Sequence, residues 1–154
     1  MNSSAARRLL PYTQSLAGTL LAAREAVMSP IRAELRRVGV TEQQWRVLRV
    51  LNEEPVMDAV RIAQAALLHA PSVTRILKEL DERRLIERTT DARDARRLQV
   101  SITASGKALI EQTASHTLVH LDSYAAAFGR ERLDSLRDEL TAFIRTLEAL
   151  ARDR

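Results

Sequence analysis

The stretch Pro71–Thr103 reads PSVTRILKELDERRLIERTTDARDARRLQVSIT, and its two halves carry two different periods. In the first half Val73, Ile76, Leu77 and Leu80 recur at helical spacing and form the buried stripe of an amphipathic helix. Pro71 falls in the first turn, where backbone amides lack internal partners. With successive side chains turned by about 100° around the axis, Arg75 and Lys78 point away from the stripe, and Ser72 and Thr74 lie on its flanks. In the second half Leu98, Val100 and Ile102 alternate with Gln99 and Ser101, as in a half-buried strand, and Ile86 to Arg88 can supply the antiparallel partner. The polar run Asp91-Ala92-Arg93-Asp94-Ala95-Arg96-Arg97 between them becomes a basic hairpin tip. Such a helix fits a DNA major groove and such a hairpin reaches the neighbouring minor groove, so the pair predicts a winged helix-turn-helix.

Working outward, Asp58 is placed to cap a short supporting helix carrying Ile62, Ala63, Ala66 and Leu67. Upstream, Thr41-Glu42-Gln43-Gln44 reads as a capping box opening a helix whose buried side is Trp45, Leu48 and Leu51, and Pro55 follows its end. Between Tyr12 and Arg37 the apolar residues Leu16, Leu20, Leu21, Val27, Met28, Ile31 and Leu35 recur at helical spacing, and Gly39 offers a stop. Pro30 is expected to kink or divide that helix. Downstream, Thr103 can cap a long helix from Ala104 to about Phe128, and Gly129 breaks the pattern. In the last helix Leu133, Leu136, Leu140, Phe143, Leu147 and Leu150 step alternately by three and four residues, the pattern of a coiled-coil seam, which predicts packing against a second subunit.

The expected architecture is mainly α with a small β-hairpin wing. A reading head spans residues 41–103, and N- and C-terminal dimerisation helices span 12–37 and 104–152, all within one compact unit over 12–152. Leu16, Leu133, Leu136, Leu140, Phe143 and Leu147 are the candidate interface residues of a homodimer.

Composition narrows the chemistry. The chain of 154 residues has no cysteine, so disulfides, thiolate nucleophiles and cysteine-based metal sites are excluded. Tyr12, Thr13, Gln14 and Ser15 interrupt any apolar run after the first residues, and a cytoplasmic protein with no membrane partner is expected. The net charge of +4 is unevenly placed: residues 1–60 carry +2, residues 61–107 carry +4 and residues 108–154 carry −2. The excess sits in the reading head, where phosphate attraction needs it. An enzyme finds little support. His116 and His120 stand one helical turn apart, but Thr117 occupies the place of the acid in a metalloprotease motif. No glycine-rich phosphate loop or Ser-His-Asp arrangement is present, and neither metal nor cofactor is expected. A dimer that binds only other proteins is the remaining rival class, and the basic wing and the polar face around Arg75 argue against it.

From about Tyr12 to Ala151 the chain resembles the MarR family of transcriptional regulators. The pieces carrying the resemblance are Pro71-Ser72-Val73-Thr74-Arg75, Leu85-Ile86-Glu87-Arg88, the Asp91-x-Arg93-Asp94-x-Arg96 wing and Val100-Ser101-Ile102-Thr103. Leu21-Ala22-Ala23-Arg24-Glu25-Ala26-Val27-Met28, followed by Thr41-Glu42-Gln43-Gln44-Trp45-Arg46, is similar to the HpaR-like branch, repressors of aromatic-acid breakdown operons. Two departures are His69, standing where a hydroxyl cap is usual, and Pro30, which sits earlier in the first helix than in that branch. The resemblance implies a dimeric repressor released from a pseudo-palindromic operator by a small aromatic or heteroaromatic carboxylic acid, of homoprotocatechuate-like or hydroxynicotinate-like chemistry. The alternative within the family is a regulator of stress, efflux or surface-polysaccharide genes.

For double-stranded DNA, Arg75 is assigned to base or phosphate contact in the major groove, with Ser72, Thr74 and Lys78 beside it. Arg93 is assigned to the minor groove, with Asp91 holding its guanidinium and Arg96 alongside; the same charges can also pair with one another to stiffen the hairpin. The family pocket lies between the first helix, the second helix and the reading domain. A ring bearing a carboxylate needs a cation and an apolar wall, which makes Arg24, Met28, Trp45, Arg46 and His69 the candidates, although Trp45 also reads as plain core.

Overall fold

The computed structural model describes residues 9–90 and 98–153. A short 3-10 turn at Tyr12–Gln14 leads into α1 (Leu16–Arg37), whose N-cap Ser15 accepts a hydrogen bond from the Gly18 amide. Helix α1 runs through Pro30 without dividing; Ile31 and Leu35, both buried, anchor the turns that follow it. The capping box of α2 (Glu42–Glu53) is complete, with the Gln44 amide donating to Thr41 Oγ1 and the Thr41 amide donating to Gln44 Oε1, each at 3.1 Å.

Strand β1 (Val56–Asp58) precedes α3 (Ala59–Ala65), whose N-cap Asp58 accepts from the Arg61 amide. The supporting helix therefore ends before Leu67. That residue sits at φ +53° and is 82% exposed, because the turn into α4 (Ala70–Glu82) needs a left-handed residue there. Strands β2 (Ile86–Thr90) and β3 (Leu98–Ile102) pair antiparallel, Ile86 opposite Ile102 and Thr90 opposite Leu98. The sheet order is β1-β3-β2, so the expected two-stranded hairpin gains a third strand from Val56–Asp58. Helix α5 (Ala104–Phe128) and helix α6 (Arg130–Arg152) follow, separated by Gly129 at φ +96°.

Instead of a single compact unit over 12–152, the chain divides into two, with the boundary inside α5 between Thr113 and Ala114. The first unit holds the core. Val47, Leu48 and Leu51 of α2, Met57 of β1, Ile62 of α3, Val73, Ile76, Leu77 and Leu80 of α4, and Ile86 and Val100 of the sheet form one buried cluster. A second cluster joins Ile31 and Leu35 of α1 to Val40 and Trp45, and Leu109 and Ile110 of α5 pack against both. Gly106 permits this approach, since a Cβ there would collide with the Leu85 carbonyl oxygen. The second unit, the rest of α5 with α6, is built differently: α6 contains no buried residue.

Candidate nucleic-acid interface and effector cleft

Helix α4 is fixed by the four apolar side chains it sinks into the first core, each 2% exposed or less. That anchorage turns the opposite face outward. The Arg75 and Lys78 side chains are 63% and 70% exposed, Thr74 is exposed and Ser72 is half-buried. His69 occupies the N-cap with no side-chain hydrogen bond, so the Ser72 and Val73 amides are satisfied by its carbonyl oxygen. The outward face is organised by carboxylates. Arg75 Nη1 donates to Glu79 Oε1 at 2.7 Å, and the other oxygen of Glu79 accepts from Gln44 Nε2 at 2.9 Å. Lys78 Nζ lies 3.9 Å from Glu82.

The wing is tied to the same helix. Arg88 on β2 donates through Nε to Asp81 on α4 at 2.8 Å, with its Nη2 at 2.6 Å from the same oxygen. Asp91, Arg93 and Arg96 lie outside the described residues, in the segment that joins the paired ends Thr90 and Leu98.

Between α1 and α2 lies a network of charges. Glu42, in the first turn of α2, accepts from Arg24 and from Arg32, the latter at 3.0 Å, and lies 4.0 Å from Arg46 Nε. Glu25 accepts from Arg24 at 2.8 Å and from Arg32 at 2.5 Å. The hydrogen bond from Arg32 is the main reason the Glu25 carboxyl is held below its ordinary range, with the charges of Arg32 and Arg24 adding to it against a desolvation that opposes it. Arg32 is raised in turn by its bonds to Glu25 and Glu42.

Trp45 is 8% exposed and belongs to the second core cluster, with Met28 packed against it. The Arg49 guanidinium lies over its ring, 5.1 Å from the centroid. Arg46 Nη1 donates to the carbonyl oxygens of Ala66 and Leu67 at 3.0 and 3.2 Å, which closes the end of α3 onto α2. These residues line an open cleft of about 240 Å³, walled by Trp45, Arg46, Arg49, Val50, Glu53 and residues 65–67. Of the expected effector residues, the cleft brings together Trp45 and Arg46; Arg24 stands in the charge network, Met28 against the second core cluster, and His69 at the start of α4.

A family model described as the MarR family matches residues 38–97, from the end of α1 through the wing. Over 131 residues the chain is 33% identical to the HTH-type transcriptional regulator FarR of Neisseria gonorrhoeae, covering 85% of this chain and 90% of that protein. Over 130 residues it is 37% identical to the homoprotocatechuate degradative operon repressor of Escherichia coli, covering 84% and 88%. The chain belongs to the MarR family. The crystal structure of NadR in complex with 4-hydroxyphenylacetate superposes with a TM-score of 0.80 at 32% identity, over 88% of this chain and 99% of that one.

This MarR-family protein is thus a DNA-binding transcriptional regulator, and its relatives are regulators, not enzymes. Among the described residues no helix is long and apolar enough to cross a membrane. Three features of the site were missed from sequence. Arg49 follows Trp45 by one helical turn, a spacing that could have flagged the ring contact. The Asp81–Arg88 tie spans 7 residues but joins the end of a helix to a strand, and the Gln44–Glu79 bond joins residues 35 apart, so no single period announces either.

Proposed function

We propose that this protein is a homodimeric cytoplasmic repressor of an operon for aromatic or heteroaromatic acid breakdown, released from a pseudo-palindromic operator by a small aromatic carboxylate. The observation that carries this reading is the identity with the homoprotocatechuate degradative operon repressor along nearly the whole of both chains. The likeness to NadR with 4-hydroxyphenylacetate supports the effector class. On the DNA side, Arg75, Lys78, Ser72 and Thr74 enter the major groove, and Arg93, held by Asp91 and flanked by Arg96, enters the minor groove.

On the effector side, the ring of the acid lies against Trp45 while its carboxylate meets Arg49, the cation already drawn to that ring. Arg46 forms the opposite wall, and Arg24 acts one step back by holding Glu42 near Arg46. Met28 packs against the core cluster to which the tryptophan belongs. Leu16 and the seam of α6, from Leu133 through Leu136, Leu140 and Phe143 to Leu147, join two copies. Two reading helices must then stand about 34 Å apart to enter successive major grooves, and a ligand that prefers a dimer of different spacing lowers operator affinity. The ligand must discriminate between the two spacings, or it shifts nothing.

A mobility shift on the duplex upstream of the protein's own gene tests the reading, with 4-hydroxyphenylacetate, homoprotocatechuate and hydroxynicotinate added in turn. The expected result is specific retention that one of these acids abolishes, while Arg49→Ala still binds DNA but no longer responds. Retention untouched by every acid in the wild type would overturn the effector assignment. Arg93→Ala should weaken retention and lower the salt slope by about one; unchanged affinity at physiological salt would remove the wing from the interface.

A further inference from the structure

We propose that Gln44 and Glu79 position the Arg75 guanidinium and thereby set the base that the reading helix selects, an inference that rests on the DNA-binding reading above. One chain of hydrogen bonds crosses from α2 to α4. The Thr41 amide donates to Gln44 Oε1 at 3.1 Å, Gln44 Nε2 donates to Glu79 Oε2 at 2.9 Å, and Arg75 Nη1 donates to Glu79 Oε1 at 2.7 Å. The two oxygens of Glu79 thus have separate duties, one facing a core amide and the other facing the groove-side cation.

An exposed ion pair one helical turn apart is weak by itself and exchanges rotamers freely. Here the carboxylate is held from behind. Gln44 is 6% exposed and is itself locked by the capping box, so the position of Glu79 follows from the packed α2–α4 contact and not from solvent. Arg75 is consequently presented with one nitrogen fixed, and less side-chain freedom remains to be lost on docking.

The fixed carboxylate also decides what Arg75 is for. A guanidinium that merely gripped a phosphate would be hindered by a negative group bonded to it, because that group would repel the same phosphate. Guanine presents neutral acceptors, O6 and N7, to a bidentate arginine, and a neighbouring cytosine presents an amino donor that a carboxylate accepts. Arg75 therefore reads guanine, Glu79 favours a cytosine beside it, and Gln44 is a positioning residue that acts through Glu79.

Gln44→Glu isolates the effect. A glutamate keeps the capping-box acceptor for Thr41 while replacing the donor to Glu79 with a second carboxylate. The probe is a duplex selected by the wild-type protein from a random-sequence library, together with copies substituted at each position. At one position in each half-site, Gln44→Glu and Glu79→Ala should each lower the preference for the selected base by about tenfold, read as the ratio of affinities for the selected duplex and its copy substituted there. Arg75→Ala should lose the preference at that same position, and Gln44→Glu should add nothing in its background. Should Gln44→Glu fail to fold, Glu79→Ala, on the half-exposed side of the bond, carries the test. Wild-type selectivity in Glu79→Ala, or a further loss at the Arg75 position itself on adding Gln44→Glu to Arg75→Ala, overturns the proposal. A wild-type protein that selects no sequence at all overturns the regulator reading instead, and this proposal with it.

Discussion

Helices α4 and α6 are both amphipathic, and their apolar stripes meet opposite fates. Val73, Ile76, Leu77 and Leu80 of α4 are buried among α2, α3 and the sheet, whereas along α6 Leu136, Ile144, Leu147 and Leu150 are 45 to 55% exposed. The pattern of a sequence specifies which face of a helix is apolar; what covers that face depends on the surfaces the rest of the chain supplies. The reading head supplies them for α4 and leaves the polar face outward for a ligand. For α6 the cover proposed above is a second copy of the chain.

The largest effect that would break this contrast is expected at Leu147. If α6 is the seam of a symmetric dimer, each leucine buried there contributes about 1.5–3 kcal/mol and counts once per subunit. Leu147→Asp should therefore shift the protein from dimer to monomer in sedimentation at micromolar concentration, and abolish the dependence of Tm on protein concentration. An unchanged dimer would place the interface elsewhere.

Next in size is Leu80→Ala, which opens a cavity in a core that is already complete within one subunit. A loss of about 2–5 kcal/mol is expected in denaturant unfolding. Sedimentation should still show the dimer, which is the mirror image of the Leu147 result. A loss below 1 kcal/mol, on the order of a surface substitution, would mean that α4 is less firmly seated than its burial indicates.

The smallest effect concerns α1, which is tied to α2 partly through charge. The Glu25 carboxyl is held below its ordinary value of 4.5, first by the hydrogen bond from Arg32. A depressed carboxyl favours the folded state while ionised, so its contribution is full above that ordinary value and declines as pH falls through the depressed one. Glu25→Gln should lower stability by a constant amount above about pH 4.5 and flatten the acid limb below it, the two profiles converging as pH falls. A difference that persists undiminished into acid would assign the effect to another group.

Much of the fold was legible because it is local. The stripe of α4 and the alternation around Val100 each repeat often enough to identify a period, and the Thr41 and Asp58 caps sit where side-chain oxygens can reach nearby amides. Strand β1 was not legible. Val56, Met57 and Asp58 are too few to show alternation, and they become a strand only by pairing with Gln99, Val100 and Ser101. Leu67, apolar and well spaced, reads as part of the supporting helix, yet the turn into α4 requires it at positive φ and leaves it exposed. Pro30 is expected to kink or divide α1; the helix does not divide, and the buried Ile31 and Leu35 anchor the turns beyond the missing amide.

The candidate site divides along the same line. That Arg75 and Lys78 face away from the core follows from helical geometry alone, since side-chain direction depends only on spacing along the chain. That Glu79 is bonded on one side by Gln44 and on the other by Arg75, that Arg46 closes the end of α3, and that Arg24 is already matched by Glu25 and Glu42, depend on which helices pack together. Periodicity encodes direction within an element, but partners distant in the chain meet only after the core has set the elements against one another.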